Sequence, residues 1–212
     1  MKFVDRSIRE FSEILSSDMP APGGGSTAAL CGALGASLLG MVASLTVGRV
    51  RYADSEPLMI EATQRAEELR MKMLDIIDRD IDAYNMVTKV YAMSKDSDAE
   101  IAIRDTAMQD ALKACSLTPF ELMECSLNAL ELADEMVGRC NINAVSDLGV
   151  AVLNLKASAQ GAWLNVLSNL DGIRDEIFSA RYTISGSDLI EVISDLADTI
   201  YDEIRHILLP GS

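Results

Sequence analysis

The chain has 212 residues, enough for one domain with a sizeable core. Hydrophobic residues make up 49% of it but aromatic ones only 5%, a balance that favours helices over strands because β-branched and aromatic residues are not enriched. The net charge of −15 argues against a nucleic-acid or anionic-membrane partner, and an anionic ligand would need local donors to overcome that field.

Residues 2 to 18 mix both charges, unlike a signal peptide. Val4, Ile8, Phe11 and Leu15 stand at helical spacing there and predict an amphipathic helix covering one face of the molecule. Residues 19 to 48, MPAPGGGSTAALCGALGASLLGMVASLTVG, contain no charged side chain. About 20 apolar residues suffice to cross a bilayer. The flanks lack aromatic anchors, however, the other helices are strongly charged, and no second span follows. The stretch therefore reads as a buried helix of a soluble protein. Ala28, Gly32, Ala36, Gly40, Ser44 and Gly48 form a small-residue seam along it, suited to a tight bundle centre or a subunit interface. At its start, the N–H groups of Gly23, Gly24, Gly25 and Ser26 are able to hold a phosphate or carboxylate. The motif lacks the GK[ST] ending of a P-loop, and a plain turn is the alternative.

Residues 55 to 93 read as one long helix, with Ser55 as N-cap and Pro57 near the first turn. Leu69, Met73, Ile76, Ala83, Val87 and Val90 follow a heptad-like seam on which Asp80 also falls. A carboxylate on an apolar stripe is costly to bury and its pKa is pushed upward. Asp80 either pairs with a core arginine or caps a neighbouring helix, or it is a functional acid, base or ligand anchor. SKDSD breaks this helix. Residues 99 to 117 predict the next one, and Pro119 starts another that runs to about Gly138. Lys95 and Arg104, after the break, are candidate cations for an acidic ligand.

GRCNIN is a polar turn, and residues 144 to 173 predict a helix with a single charge, Lys156, between Leu148 and Leu170. Asn143, Ser146 and Asp147 at its start are capping types, and an aspartate suits the first turn. Asp147, Asn154, Ser158, Gly161, Asn165 and Ser168 recur on one stripe, where small polar groups would hydrogen-bond across a tight helix contact or line a ligand cavity. SGSD at 185 to 188 separates the last two segments. The expectation is one all-α domain over residues 1–212, a bundle of about seven long helices around a buried small-residue helix.

Cys31, Cys115, Cys125 and Cys140 show no CxxC pair or metal-ligand spacing and read as reduced residues of a cytoplasmic protein. With His206 the one histidine, multi-His metal sites are excluded and proton transfer falls to Asp, Glu or Lys.

Taken in order, PAPGGGSTAALCGALGASLLGMVASLT, DRDIDAY, RDTAMQDALKACSLTPFELMECSLNALEL and NINAVSDLGVAVLNLKASAQGAWLNVLSNLDGIRD resemble the formiminotetrahydrofolate cyclodeaminase / methenyltetrahydrofolate cyclohydrolase family. The resemblance spans residues from about 5 to 180. YAMSK stands where the family tends to have Leu-Pro-Lys, and Cys140 where it tends to have Gly. The resemblance implies an all-α homodimer acting on a tetrahydrofolate derivative as substrate, with no metal and no permanently bound cofactor. The mechanism expected on that basis has Asp147 or Asp80 as general acid or base, the other carboxylate holding the pterin or steadying the methenyl carbon, and Asn143 and Ser146 orienting water or ligand. The Gly23–Ser26 turn and Asn165 would bind substrate, with Lys95 or Arg104 nearer its glutamate tail. A chain without room for a formiminotransferase domain favours the cyclohydrolase, followed by the cyclodeaminase. A folate-binding or scaffold protein that has lost the chemistry is the non-enzyme reading.

Overall fold

The computed structural model describes residues 2–209, and it is helical almost throughout, with no strand among them. Six α-helices follow one another: α1 (Ile8–Leu15), α2 (Gly24–Ser44), α3 (Glu56–Tyr91), α4 (Asp98–Met136), α5 (Val145–Leu170) and α6 (Glu176–Leu208). Short 3-10 turns at Phe3–Asp5, Val50–Ser55 and Ile142–Ala144 link or precede them. Two of the long helices, α4 and α6, start at a side-chain cap. Ser97 accepts from Glu100 at the head of α4, and Asp175 accepts from Phe178 at the head of α6.

Helix α2 is the centre, lying antiparallel to both α3 and α5. Along α3, Gly25 meets Asp80, Gly32 meets Met73 and Gly40 meets Ala66; along α5, Gly24 meets Asn165, Gly32 meets Ser158 and Gly35 meets Leu155. A side chain is excluded at Gly25, Gly32 and Gly35. A Cβ on Gly32 would stand 2.7 Å from the Ser158 hydroxyl, and one on Gly35 2.7 Å from Leu155 Cγ. The predicted small-residue seam is thus closed at Ala28, Gly32 and Ala36. It opens beyond them: Gly40 is half-buried and Ser44 and Gly48 are exposed, and Gly40 and Ser44 line an open groove with Thr63, Ala66 and Arg70 of α3. By length and composition α2 would cross a membrane, yet 56% of its apolar window is buried inside the bundle.

The six helices are close to the expected number, and two expected breaks do not break the chain. Pro119 lies inside α4. A proline there has no N–H for the carbonyl four residues earlier, which is that of Cys115. The Asn169 amide on α5 donates to this carbonyl at 3.2 Å, so the helix continues with its orphan acceptor satisfied. SGSD likewise lies within α6. Gly186 is there because α6 crosses Trp163 so closely that a Cβ would overlap the indole ring. The amphipathic N-terminal segment also differs from expectation. Its α1 is opened by a reciprocal Ser7–Glu10 capping box, but only Phe11 is buried, while Ile8 is 85% exposed and Leu15 38%.

Past Asp80, α3 and α4 continue beyond the N-terminal end of α2 as a two-helix hairpin, whose tip is the turn containing Lys95.

Candidate functional site

The glycine run begins α2, with Gly23 in the N-cap position. Gly25 is buried, and a Cβ on it would overlap the Asp80 carboxylate. Ser26 is fully buried and its hydroxyl donates to Asp80 Oδ2 at 2.8 Å. Asp80 therefore serves the first turn of α2 as a cap supplied by another helix, in the region where the helix dipole favours an anion. It forms no ion pair among the described residues. Burial pushes its carboxyl above the usual aspartate range, opposed by the hydroxyl and N–H of Ser26. Of the two readings the sequence left open, the core arginine is absent and the cap is present, but the cap is partial: the carboxylate is only half-buried. Cys115 lies close by, its thiol pushed up to about 11 by burial and then by the Asp80 charge, which keeps it protonated. Asn165, across from Gly24, spends one amide N–H on the Gly161 carbonyl in its own helix, at 2.8 Å.

Asn143, Ser146 and Asp147 stand at the other end of the bundle. Asn141, buried, is the clamp there: its backbone N–H donates to the Thr46 hydroxyl at 2.9 Å and its amide to the Leu45 carbonyl at 3.1 Å. Its side-chain oxygen accepts from the Asn143 N–H at 3.1 Å. The Ile142 N–H donates to the Tyr52 hydroxyl at 2.9 Å. Gly48 and Gly138, in the left-handed region at φ 74° and 71°, turn the chain out of α2 and α4 to allow this meeting. With Asn141 doing the structural work, Asn143 and Ser146 are left exposed and Asp147 half-buried. None of the three caps α5, whose N-cap is Ala144.

The structure therefore separates what the sequence reading put in one site. Gly23–Ser26, Asp80 and Asn165 lie at one end of α2, and Asn143, Ser146 and Asp147 at the other. The eighteen residues from Asp147 to Asn165 along α5 amount to about 27 Å at the α-helical rise. Lys95, at the hairpin tip, is far from both groups. Arg104 donates through Nε to the Val90 carbonyl at 3.1 Å, ten residues beyond Asp80 on α3 or about 15 Å. The polar stripe of α5 is also resolved. Ser158 and Gly161 face α2 in the tight helix contact, with Ser158 fully buried near Ser126, while Asn154 donates its amide to the Val150 carbonyl of its own helix at 2.8 Å.

Three residues the sequence reading passed over belong here. Arg49, Arg51 and Tyr52 share a cavity with Asn141, Ile142 and Asn143. The signal was present, since these two arginines are the sole cations between Arg9 and Arg65. Among the described residues no group of three or more His, Cys, Asp or Glu side chains is arranged to hold a metal ion.

Residues 7–184 match the family model described as formiminotransferase-cyclodeaminase. A methenyltetrahydrofolate cyclohydrolase of Methylorubrum extorquens is 32% identical over 95% of this chain and 97% of its own. The mouse formimidoyltransferase-cyclodeaminase is 29% identical over 84% of this chain, which spans only 33% of that longer protein. The crystal structure of formiminotetrahydrofolate cyclodeaminase from Thermotoga maritima superposes with a TM-score of 0.80 at 28% identity, covering 96% of both chains.

Proposed function

Since the chain belongs to the formiminotransferase-cyclodeaminase family of one-carbon folate enzymes, we propose that it hydrolyses 5,10-methenyltetrahydrofolate to 10-formyltetrahydrofolate. The observation that carries this reading is the end-to-end match to the Methylorubrum cyclohydrolase. Cyclodeamination of 5-formiminotetrahydrofolate is the second reading, supported by the Thermotoga fold match. That relative is also matched over nearly its whole length, so the argument from a missing formiminotransferase domain does not separate the two activities.

Both reactions turn on the same carbon between two folate nitrogens. In hydrolysis, water adds to the methenyl carbon and gives up a proton. The resulting tetrahedral carbon then releases N5 as that nitrogen is protonated, leaving the formyl group on N10 with one proton set free overall. Carboxylates supply this proton traffic, an effect typically worth about 10²–10⁴-fold. No resident metal or cofactor is needed for it. Asp80, held by Ser26 and raised by burial, is suited to take and return a proton. Asp147, with Asn143 and Ser146, is not spent on capping α5, which supports a role for these three side chains toward the substrate.

A distance of about 27 Å is too long for one substrate ring to touch both groups. We infer a homodimer in which each site is shared. Leu34 and Met41 on α2, Leu45 just after it, and Val150, Leu153, Leu164 and Leu167 on α5 are exposed, and both stripes are free of charge. A two-fold axis near Ala157, the middle of α5, would set the two α5 helices antiparallel and stand the partner subunit's Asp147 beside Asn165. Asp80, Asn165 and the first-turn N–H groups of α2 would then face the partner subunit's Asn143 and Asp147. The four free cysteines are consistent with a reducing, cytoplasmic setting.

The test is to offer purified protein each substrate separately. Loss of methenyl absorbance above the uncatalysed rate, with no ammonia, supports the hydrolase. Ammonia release with rising methenyl absorbance from the formimino substrate supports the cyclodeaminase, and neither signal supports the non-enzyme reading.

A further inference from the structure

At the C-terminal end of α2 the chain gathers two cations although it has few to spare. Acidic residues outnumber basic ones by 33 to 18, and among the described residues eight of the basic ones pair with a carboxylate. Arg49 and Arg51 do not. Both are exposed, and neither forms an ion pair among the described residues, even with Asp54 or Glu56 a few positions on.

The site around them is built. The Arg51 guanidinium lies over the Tyr52 ring, 5.6 Å from its centroid. Tyr52 in turn accepts the Ile142 N–H, tying the turn after α2 to the turn before α5. Together they line a cavity of about 270 Å³ that also includes Asn143. Planar guanidinium forks match carboxylates, and two of them in one cavity suit a ligand bearing more than one. The net charge of −15 disfavours a polyanion on this chain as a whole, so local donors decide where one binds.

We propose that the Arg49–Arg51 cavity binds the glutamate end of the folate substrate through its carboxylates, next to Asn143. This rests on the folate reading above and replaces Lys95 and Arg104, which lie out along the hairpin, as the expected tail anchors. Each further γ-linked glutamate adds a carboxylate for the same two arginines, so the cavity also sets a preference for tail length. The mouth lies in the Asn143 half whether one chain or two complete the catalytic centre.

The test uses the full chain carrying Arg49→Gln and Arg51→Gln together. With a tri-γ-glutamate form of methenyltetrahydrofolate, KM is expected to rise at least about tenfold while kcat stays within about twofold. The wild-type KM is expected to climb with salt, as screening predicts. Equilibrium dialysis of free tri-γ-glutamate, with inorganic phosphate at matched ionic strength as competitor, reads the cavity without catalysis. Binding by wild type that the double variant loses, and that phosphate displaces only weakly, supports the proposal even if neither folate is turned over; in that event the proposed reaction fails and the anion site stands. An unchanged KM in the variant, equal peptide binding by both proteins, or displacement by phosphate as effective as by the peptide itself would overturn it.

Discussion

Two inactive variants, each defective at a different end of the bundle, should rescue one another. Asp80→Asn and Asp147→Asn are each expected to lower turnover by about 10²–10⁴-fold, the usual worth of a proton-transferring group. The eighteen-residue spacing on α5 keeps the two positions about 27 Å apart in one chain. In a two-fold dimer, a mixed pair holds one site with both aspartates intact and one site lacking both. Random exchange makes half of all dimers mixed, so about a quarter of wild-type activity should return. The assay is methenyltetrahydrofolate hydrolysis after co-refolding differently tagged variants, with tag capture confirming that mixed dimers formed. If mixed dimers are present and activity stays at the level of the parents, the shared site is wrong. If either variant alone retains full activity while folded, its aspartate is misassigned.

Two further outcomes follow from the same contacts. Burial raises the Asp80 pKa above its ordinary value of 3.8, so the folded chain holds that proton to higher pH than the unfolded chain does. Stability therefore falls as pH rises from the ordinary value through the raised one, and stays lower above it. Asp80→Asn should melt higher than wild type at neutral pH, by about 2–4 °C for each kcal/mol relieved in a chain of this size, with the gap closing toward acid. Scanning fluorimetry across pH checks this, and a constant gap would contradict it. Asn169→Leu should cost about 1–3 kcal/mol by stranding the Cys115 carbonyl. Pro119→Ala in the same chain restores a backbone donor and should shrink that cost, whereas simple additivity in urea denaturation would refute the pairing.

Helical periodicity carried most of the architecture. The helix expected over 55 to 93 is α3 at Glu56–Tyr91, and that expected over 144 to 173 is α5 at Val145–Leu170. Both are long and strongly patterned. The two spurious breaks share a physical origin. A proline or a Gly-Ser cluster stops a helix only if nothing else compensates, and the compensating groups, Asn169 and Trp163, lie on another helix. Asp80 was legible as an anomaly on an apolar stripe. Its partner, Ser26, is fifty-four positions away and becomes visible only when α2 and α3 are laid antiparallel. That same arrangement divides the candidate residues between two ends, which their order along the chain does not reveal. Arg49 and Arg51 were overlooked because charge was weighed as a total rather than by position.

Helix α2 has a consequence for how this chain can vary. Its glycines and alanines set how closely three helices approach, while its 21 residues set how far apart the two ends of the bundle lie. It acts as a ruler. Exchanges among small residues preserve the calibration, but an inserted or deleted residue would rotate one end by about 100° relative to the other and carry Asp80 out of reach of its serine. Composition along this helix is free to drift within narrow size limits, whereas its length is pinned at both ends.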